Sequence, residues 1–258
     1  MPAVAAHYQL GQLVISDLSQ KLKNIINSNK RMYDLGLQGP DILFFYRPFK
    51  DNETKKKGED IHHNSAVGFF KTALSGDAAL NEKALAYLIG ACCHYALDRS
   101  CHPYVMNQSH TDFDHQRIES DFDCAIIRQY SMSFKRHKYV PTREVCFESI
   151  ADIYKCISAE DIKEAVCSMH CTIRLFEHRK IVQLAERLAG RVNSLSSLCI
   201  NKRSQNALCI HKMMLFFKQA QKDAIKLIDE IFSAYQNKSS NIKGFDENFE
   251  GSIRANNF

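Results

Sequence analysis

The 258-residue sequence predicts an all-α fold, and three observations carry that expectation. Its 10 Gly and 5 Pro are too few for the many short turns of a β-sandwich or barrel. Apolar residues recur at helical spacing through most of the chain. The residues best suited to chemistry repeat in the same way: His94, Asp98 and His102 fall at i, i+4 and i+8, and His115 and Glu119 repeat the i, i+4 step. Such steps stack side chains about a turn apart on one helix face.

Composition sets the outer bounds. A chain of this length holds one large core. Its 45% hydrophobic and 24% charged residues are ordinary for a globular protein. The net charge of +5 is carried by scattered residues, not by the concentrated basic face of a nucleic-acid binder. The 10 cysteines form no CxxC pair and fall among helical patterns, so they are expected as small buried hydrophobes in a reducing compartment. The N-terminus lacks a basic start followed by a sustained apolar run, and no stretch reaches the roughly 20 apolar residues of a membrane span. These features predict a cytoplasmic protein.

In chain order, Leu10, Leu13, Val14, Leu18, Leu22, Ile25 and Ile26 predict one amphipathic helix from about His7 to Asn29. Gly36, Gly39 and Pro40 then break the chain and put Asp41 at a turn, where Asp before an apolar run reads as an N-cap. Ile42 to Tyr46 form an apolar block, and residues 51–60 a charged surface loop. His62 and His63 open a helical segment that Ser75-Gly76-Asp77 closes. A strongly apolar helix is expected over Ala79–Arg99, with a loop after His102-Pro103. Further helices are expected over His115–Ser133, Ala159–Phe176, His178–Leu195 and Ala207–Tyr235, with Ser158 and Asp161 forming a capping box. One helical domain therefore covers residues 1–237, and a polar, Asn-rich, loosely ordered tail covers 238–258.

Histidine and carboxylate on one face suit a zinc ion, which takes imidazole nitrogens and carboxylate oxygens at about 2 Å. A His or Asp inside an apolar helix must be paired or metal-bound, because a lone buried charge is expensive. His94 and Asp98 are in that position.

The set GPDILFFY (39–46), GEDIHH (58–63), GACCHYALDRSCHPY (90–104) and DHQRIE (114–119) resembles the zinc-dependent phospholipase C family, over about residues 5 to 130. That family shares an all-helical fold with the S1/P1-type nucleases. The resemblance implies a multi-helix bundle with a metal cleft between helices, and hydrolysis of a phosphodiester in a phospholipid or a related compound. It implies Asp41, His62, His94 and Asp98 as ligands of one zinc, and His102, His115 and Glu119 as ligands of a second. His7 with a bridging Asp98 matches a third set. Two zinc ions are expected, and the third site departs from the pattern. Secreted members supply it with an N-terminal tryptophan, and this chain has none. The gap from His94 to His102 is also shorter than in the secreted enzymes. His63 stands beside His62 as an alternative ligand.

Asp41 is the candidate catalytic residue, a ligand that also orients or deprotonates the attacking water. Arg99 and Tyr46 are available to contact phosphate. Two other readings compete: an S1/P1-like nuclease, and a non-catalytic helical protein stabilised by metal. Transient contact with a membrane surface fits the lipid substrate, and nucleic acid is not the favoured partner.

Overall fold

The computed structural model describes residues 3–75, 80–188, 199 and 207–251. They form helices and no strand, as expected for an all-α chain. The elements are α1 (Val4–Ile15), α2 (Gln20–Ser28), α3 (Lys30–Gly36), a 3-10 turn (Gly39–Phe45), α4 (Glu53–His63), α5 (Ala66–Leu74), α6 (Glu82–Gln108) and α7 (Asp112–Gln129). A short 3-10 turn (Arg136–Tyr139), α8 (Phe147–Tyr154), α9 (Ala159–Phe176), α10 (Arg179–Leu188) and α11 (Ala207–Gln236) follow. No helix among the described residues is long and apolar enough to cross a membrane.

Helix α6 is the axis of the fold. Residues Ala84 to Asp98 are buried on every side, the pattern of a helix enclosed by others rather than lying on a surface. Asn81 starts it by accepting the Ala84 amide at 2.9 Å, satisfying a donor that the first turn leaves open. It packs most extensively against α11 and α3. The α3–α6 contact is backbone on backbone. A Cβ on Gly36 would lie 2.1 Å from the Tyr87 carbonyl oxygen, and one on Gly90 would lie 2.4 Å from the Tyr33 carbonyl oxygen. Neither carbonyl can swing aside as a side chain could. Gly90→Ala is therefore expected to lower stability by about 2 kcal/mol or more in urea unfolding, despite the better helix propensity of Ala. An unchanged midpoint would show that the two helices tolerate separation.

Several expectations change. The first helix is two, because the ISDLS segment offers its own hydrogen bonds in place of the helical ones. Ser16 Oγ donates to the Leu13 carbonyl, and Ser19 Oγ accepts from the Leu22 amide to begin α2. The loop expected after His102-Pro103 is not there, since α6 runs on to Gln108 with Pro103 inside it. Proline removes one helical bond, but Cys101 and Val105 are buried on either side and hold the helix together. The DNETKKKGED stretch is largely the start of α4 rather than a loop, with Asn52 accepting the Lys55 amide at 2.9 Å.

The fourth change is the tail. Ile242, Phe245 and Phe249 are buried, and the Val67 amide donates to the Phe245 carbonyl at 2.8 Å. Three apolar residues spaced three and four apart were hidden among Asn, Lys and Asp. The chain is thus packed on the core as far as Gly251, and 252–258 lie outside the described residues.

Ser158 Oγ accepts the Asp161 amide at 3.1 Å and starts α9. The helix expected over 178–195 is present as α10, with 189–195 outside the described residues. All ten cysteines are free, and six are buried; Cys146 is half-buried, and Cys156, Cys167 and Cys171 are exposed, unlike the buried role expected of them.

Candidate metal centre

The continuity of α6 puts His94, Asp98 and His102 on three successive turns of one helix. Helix α7 lies alongside and brings His115 and Glu119. Its first turn is set by Thr111, which accepts the Asp114 amide at 3.2 Å, and by Asp112 and Asp114, which favour a helix N-terminus. His62 comes from the last turn of α4 and His7 from the start of α1. Asp41 sits within the 3-10 turn rather than at a helix cap. That turn approaches α6 closely because Gly39 adopts φ +53° and lacks a side chain, where a Cβ would stand 2.4 Å from the His94 ring.

Two groups of side chains result. In each, the potential ligand atoms lie within 4.8 Å of one another: Asp41, His62, His94 and Asp98 in the first, His102, His115 and Glu119 in the second. In the first, His62 Nε2 is 2.8 Å from Asp41 Oδ1 and His94 Nε2 is 3.0 Å from Asp98 Oδ2. In the second, His102 and His115 both turn Nε2 to Glu119 Oε1, at 3.3 and 3.2 Å. Asp98 stands between the groups, its Oδ1 being 3.6 Å from His102 Nε2. The same oxygen lies 2.9 Å from His7 Nε2. His7 falls outside both groups, stacked on the His94 ring at 4.3 Å.

The ring nitrogens argue for a metal. Nδ1 of His7, His62 and His94 meets the backbone carbonyls of Ala3, Gly58 and Leu37, at 2.8, 2.8 and 3.2 Å. A carbonyl only accepts, so Nδ1 carries the proton and Nε2 is left to face the cleft, the orientation that ligating histidines take. Nε2 of His62 and of His94 are both buried, and neither is aligned for a hydrogen bond with its neighbouring carboxylate. Buried polar atoms without a partner are costly, and an ion bound between them would supply one. The donor set of imidazole and carboxylate, without cysteine, fits zinc in an open site.

Charge in this cluster is set by its members. Burial acts to raise the Asp98 pKa, but the imidazoles of His94, His102 and His7 outweigh it and hold the carboxyl well below its usual range. Glu119 behaves likewise, with His102 and His115 opposing the effect of burial. Asp41 is lowered by His94 and His62 against burial. Burial alone would lower the pKa of His102, yet Asp98 and Glu119 push it up to about 9. The carboxylates are ionised and ready for a cation, which would displace the proton that His102 holds.

Every expected ligand except the fully buried His94 lines one cleft of about 310 Å3. Phe44, Met106, His63, Asp112 and Glu250 complete most of its wall, and no Lys or Arg is among the described residues lining it. Of the adjacent histidines, His62 turns into the first group, while His63 lies at the rim with Nε2 3.1 Å from Glu250 Oε1. Arg99 and Tyr46 are elsewhere: Arg99 Nε is 3.3 Å from Glu247 Oε2, and Tyr46 donates its hydroxyl to Asp161 at 2.7 Å.

Sequence reasoning missed the C-terminal contribution. Phe249 donates its amide to the His62 carbonyl at 3.2 Å and packs its ring against those of His62 and His94. Asn248 Nδ2 donates to the His63 carbonyl at 3.3 Å. The one signal was the spacing of Ile242, Phe245 and Phe249 in an otherwise polar stretch.

Known proteins were compared in three ways. No curated protein and no solved structure matches the chain. The model of the family described as zinc dependent phospholipase C matches residues 6–165, more than half of the chain and the span that supplies both groups. The chain belongs to the zinc-dependent phospholipase C family.

Proposed function

We propose that this protein hydrolyses a phosphodiester bond of a phospholipid, using zinc held by the two groups between which Asp98 stands. One observation carries the reading most of the way. The cleft is lined by carboxylates and imidazoles with no lysine or arginine among the described residues, so by itself it would repel a phosphate. A phosphodiester becomes a plausible guest only if cations fill the two groups. Bound zinc supplies a water of lowered pKa and neutralises the phosphoryl oxygens.

The chain's own residues would do the rest. Asp41 is kept ionised by His94 and His62, so its carboxylate can accept a hydrogen bond from the attacking water and orient it. Asp98 and Glu119 fix the positions of both groups. Phe44 and Met106 line the cleft, and Phe113 is exposed in the first turn of α7, which gives an apolar surface suited to the lipid part of a substrate.

The test is hydrolysis of bis(p-nitrophenyl) phosphate and of a short-chain phosphatidylcholine. Activity is expected with zinc, is expected to vanish on chelation, and should return when zinc is restored. Asp41→Asn is expected to lower kcat by about 10²- to 10⁴-fold. Activity that survives complete chelation would contradict the reading. Zinc bound without any hydrolysis would leave a structural role for the metal.

A further inference from the structure

Outside the cleft, α10 presents an apolar surface to solvent. Four of the exposed large apolar side chains fall between residues 175 and 188: Leu175, Ile181, Leu184 and Leu188, at 52, 56, 58 and 82% exposure. Ile181, Leu184 and Leu188 are spaced i, i+3 and i+7, so they form one stripe along α10. Val182 and Glu186 on the other side of the helix are buried, which turns the stripe to solvent. Soluble proteins rarely leave such an apolar strip uncovered without a partner for it.

The charges around the stripe identify the partner. Arg174, Arg179, Lys180 and Arg187 are exposed, and helical geometry puts Lys180 and Arg187 together along one flank of the stripe. The segment 174–188 contains two carboxylates, and neither is exposed. Glu177 is bound to the His137 ring at 2.8 Å, and Glu186 is buried. We infer that α10 docks the protein on a lipid bilayer containing anionic lipids, with Ile181, Leu184 and Leu188 entering the headgroup boundary and the flanking cations meeting the lipid charge. A short helix with an apolar face bordered by Lys and Arg is built to lie in that boundary. The long cationic stems can keep their charges at headgroup level while covering apolar surface. A second copy of the chain fits less well, because a symmetric pairing through this stripe would set Lys180 and Arg187 close to their own counterparts. Docking of this kind does not depend on the zinc chemistry, and it is read without any hydrolysis.

The experiment is co-sedimentation of the full chain with vesicles of phosphatidylcholine alone and with about 30% phosphatidylserine. Each cation near an anionic surface is worth about fivefold in partition. Wild type is therefore expected to bind the phosphatidylserine vesicles at least tenfold more tightly than the neutral ones, less so at high salt. The triple variant Ile181→Ser, Leu184→Ser, Leu188→Ser should lose at least tenfold in binding to either vesicle, with its thermal unfolding unchanged. The double variant Lys180→Glu, Arg187→Glu keeps the apolar stripe and should lose the preference for phosphatidylserine, which tests the inference even if the triple variant does not fold. Equal binding of wild type to both vesicles would overturn it, as would full binding by the double variant. So would a concentration-dependent dimer of wild type that the triple variant makes monomeric.

Discussion

Asp98→Asn is expected to abolish zinc-dependent hydrolysis and to weaken zinc binding by more than about 100-fold, with the fold intact. The residue belongs to the first group and reaches His102 of the second. It lies 3.0 Å from His94 and 3.6 Å from His102, and touches His7 at 2.9 Å. An amide of the same size removes the negative charge that these imidazoles surround. Even outer partners of a metal ligand are worth 10- to 100-fold in affinity or activity, so a charged group inside the cluster should be worth more. His102 also loses one of the two carboxylates that raise its pKa. Zinc titration by calorimetry, with circular dichroism as the control for folding, reads the effect. A variant that binds zinc as tightly as wild type would remove Asp98 from the centre.

Gly39→Ala is expected to cost about 2–5 kcal/mol of stability and to lower zinc affinity with it. The left-handed backbone at φ +53° accounts for about 1–2 kcal/mol once a Cβ is added. Overpacking contributes a further 1–3 kcal/mol or so. The new methyl would stand 2.4 Å from His94 Cδ2 and 2.9 Å from Nε2. His94 has no room to retreat, being fully buried and stacked on His7. Displacing the ring carries its Nε2 out of the first group, so stability and metal binding should fall together. Urea unfolding of the zinc-free protein separates the two contributions. A variant with wild-type stability and wild-type zinc affinity would show that the turn carrying Asp41 can shift away from α6 at no cost.

Much of this was legible in the sequence, and the exceptions share a cause. His94, Asp98 and His102 announce themselves because two steps of four residues project to one face of a helix, a local property. His115 and Glu119 do so for the same reason. Asp41 and His62 carry no such signal, and only the resemblance to the family pointed to them. What local reasoning missed is tertiary. Glu250 meets His63, and Phe249 packs on His62, from far along the chain. Pro103 reads as a helix end by local rule, but burial of its neighbours overrides the rule. That override keeps His102 on the same helix as His94. The tail failed in the opposite way, since its polar average concealed the three apolar residues that fasten it to α4, α5 and α6.

The most direct test of the account is the number of zinc ions per chain, measured by elemental analysis of protein purified without chelator and dialysed against trace zinc. The two groups predict about two zinc ions per wild-type chain, removed by chelation and restored on adding zinc back. Protein that stays free of zinc after reconstitution, while folded, would contradict the metal centre and the proposed hydrolysis with it.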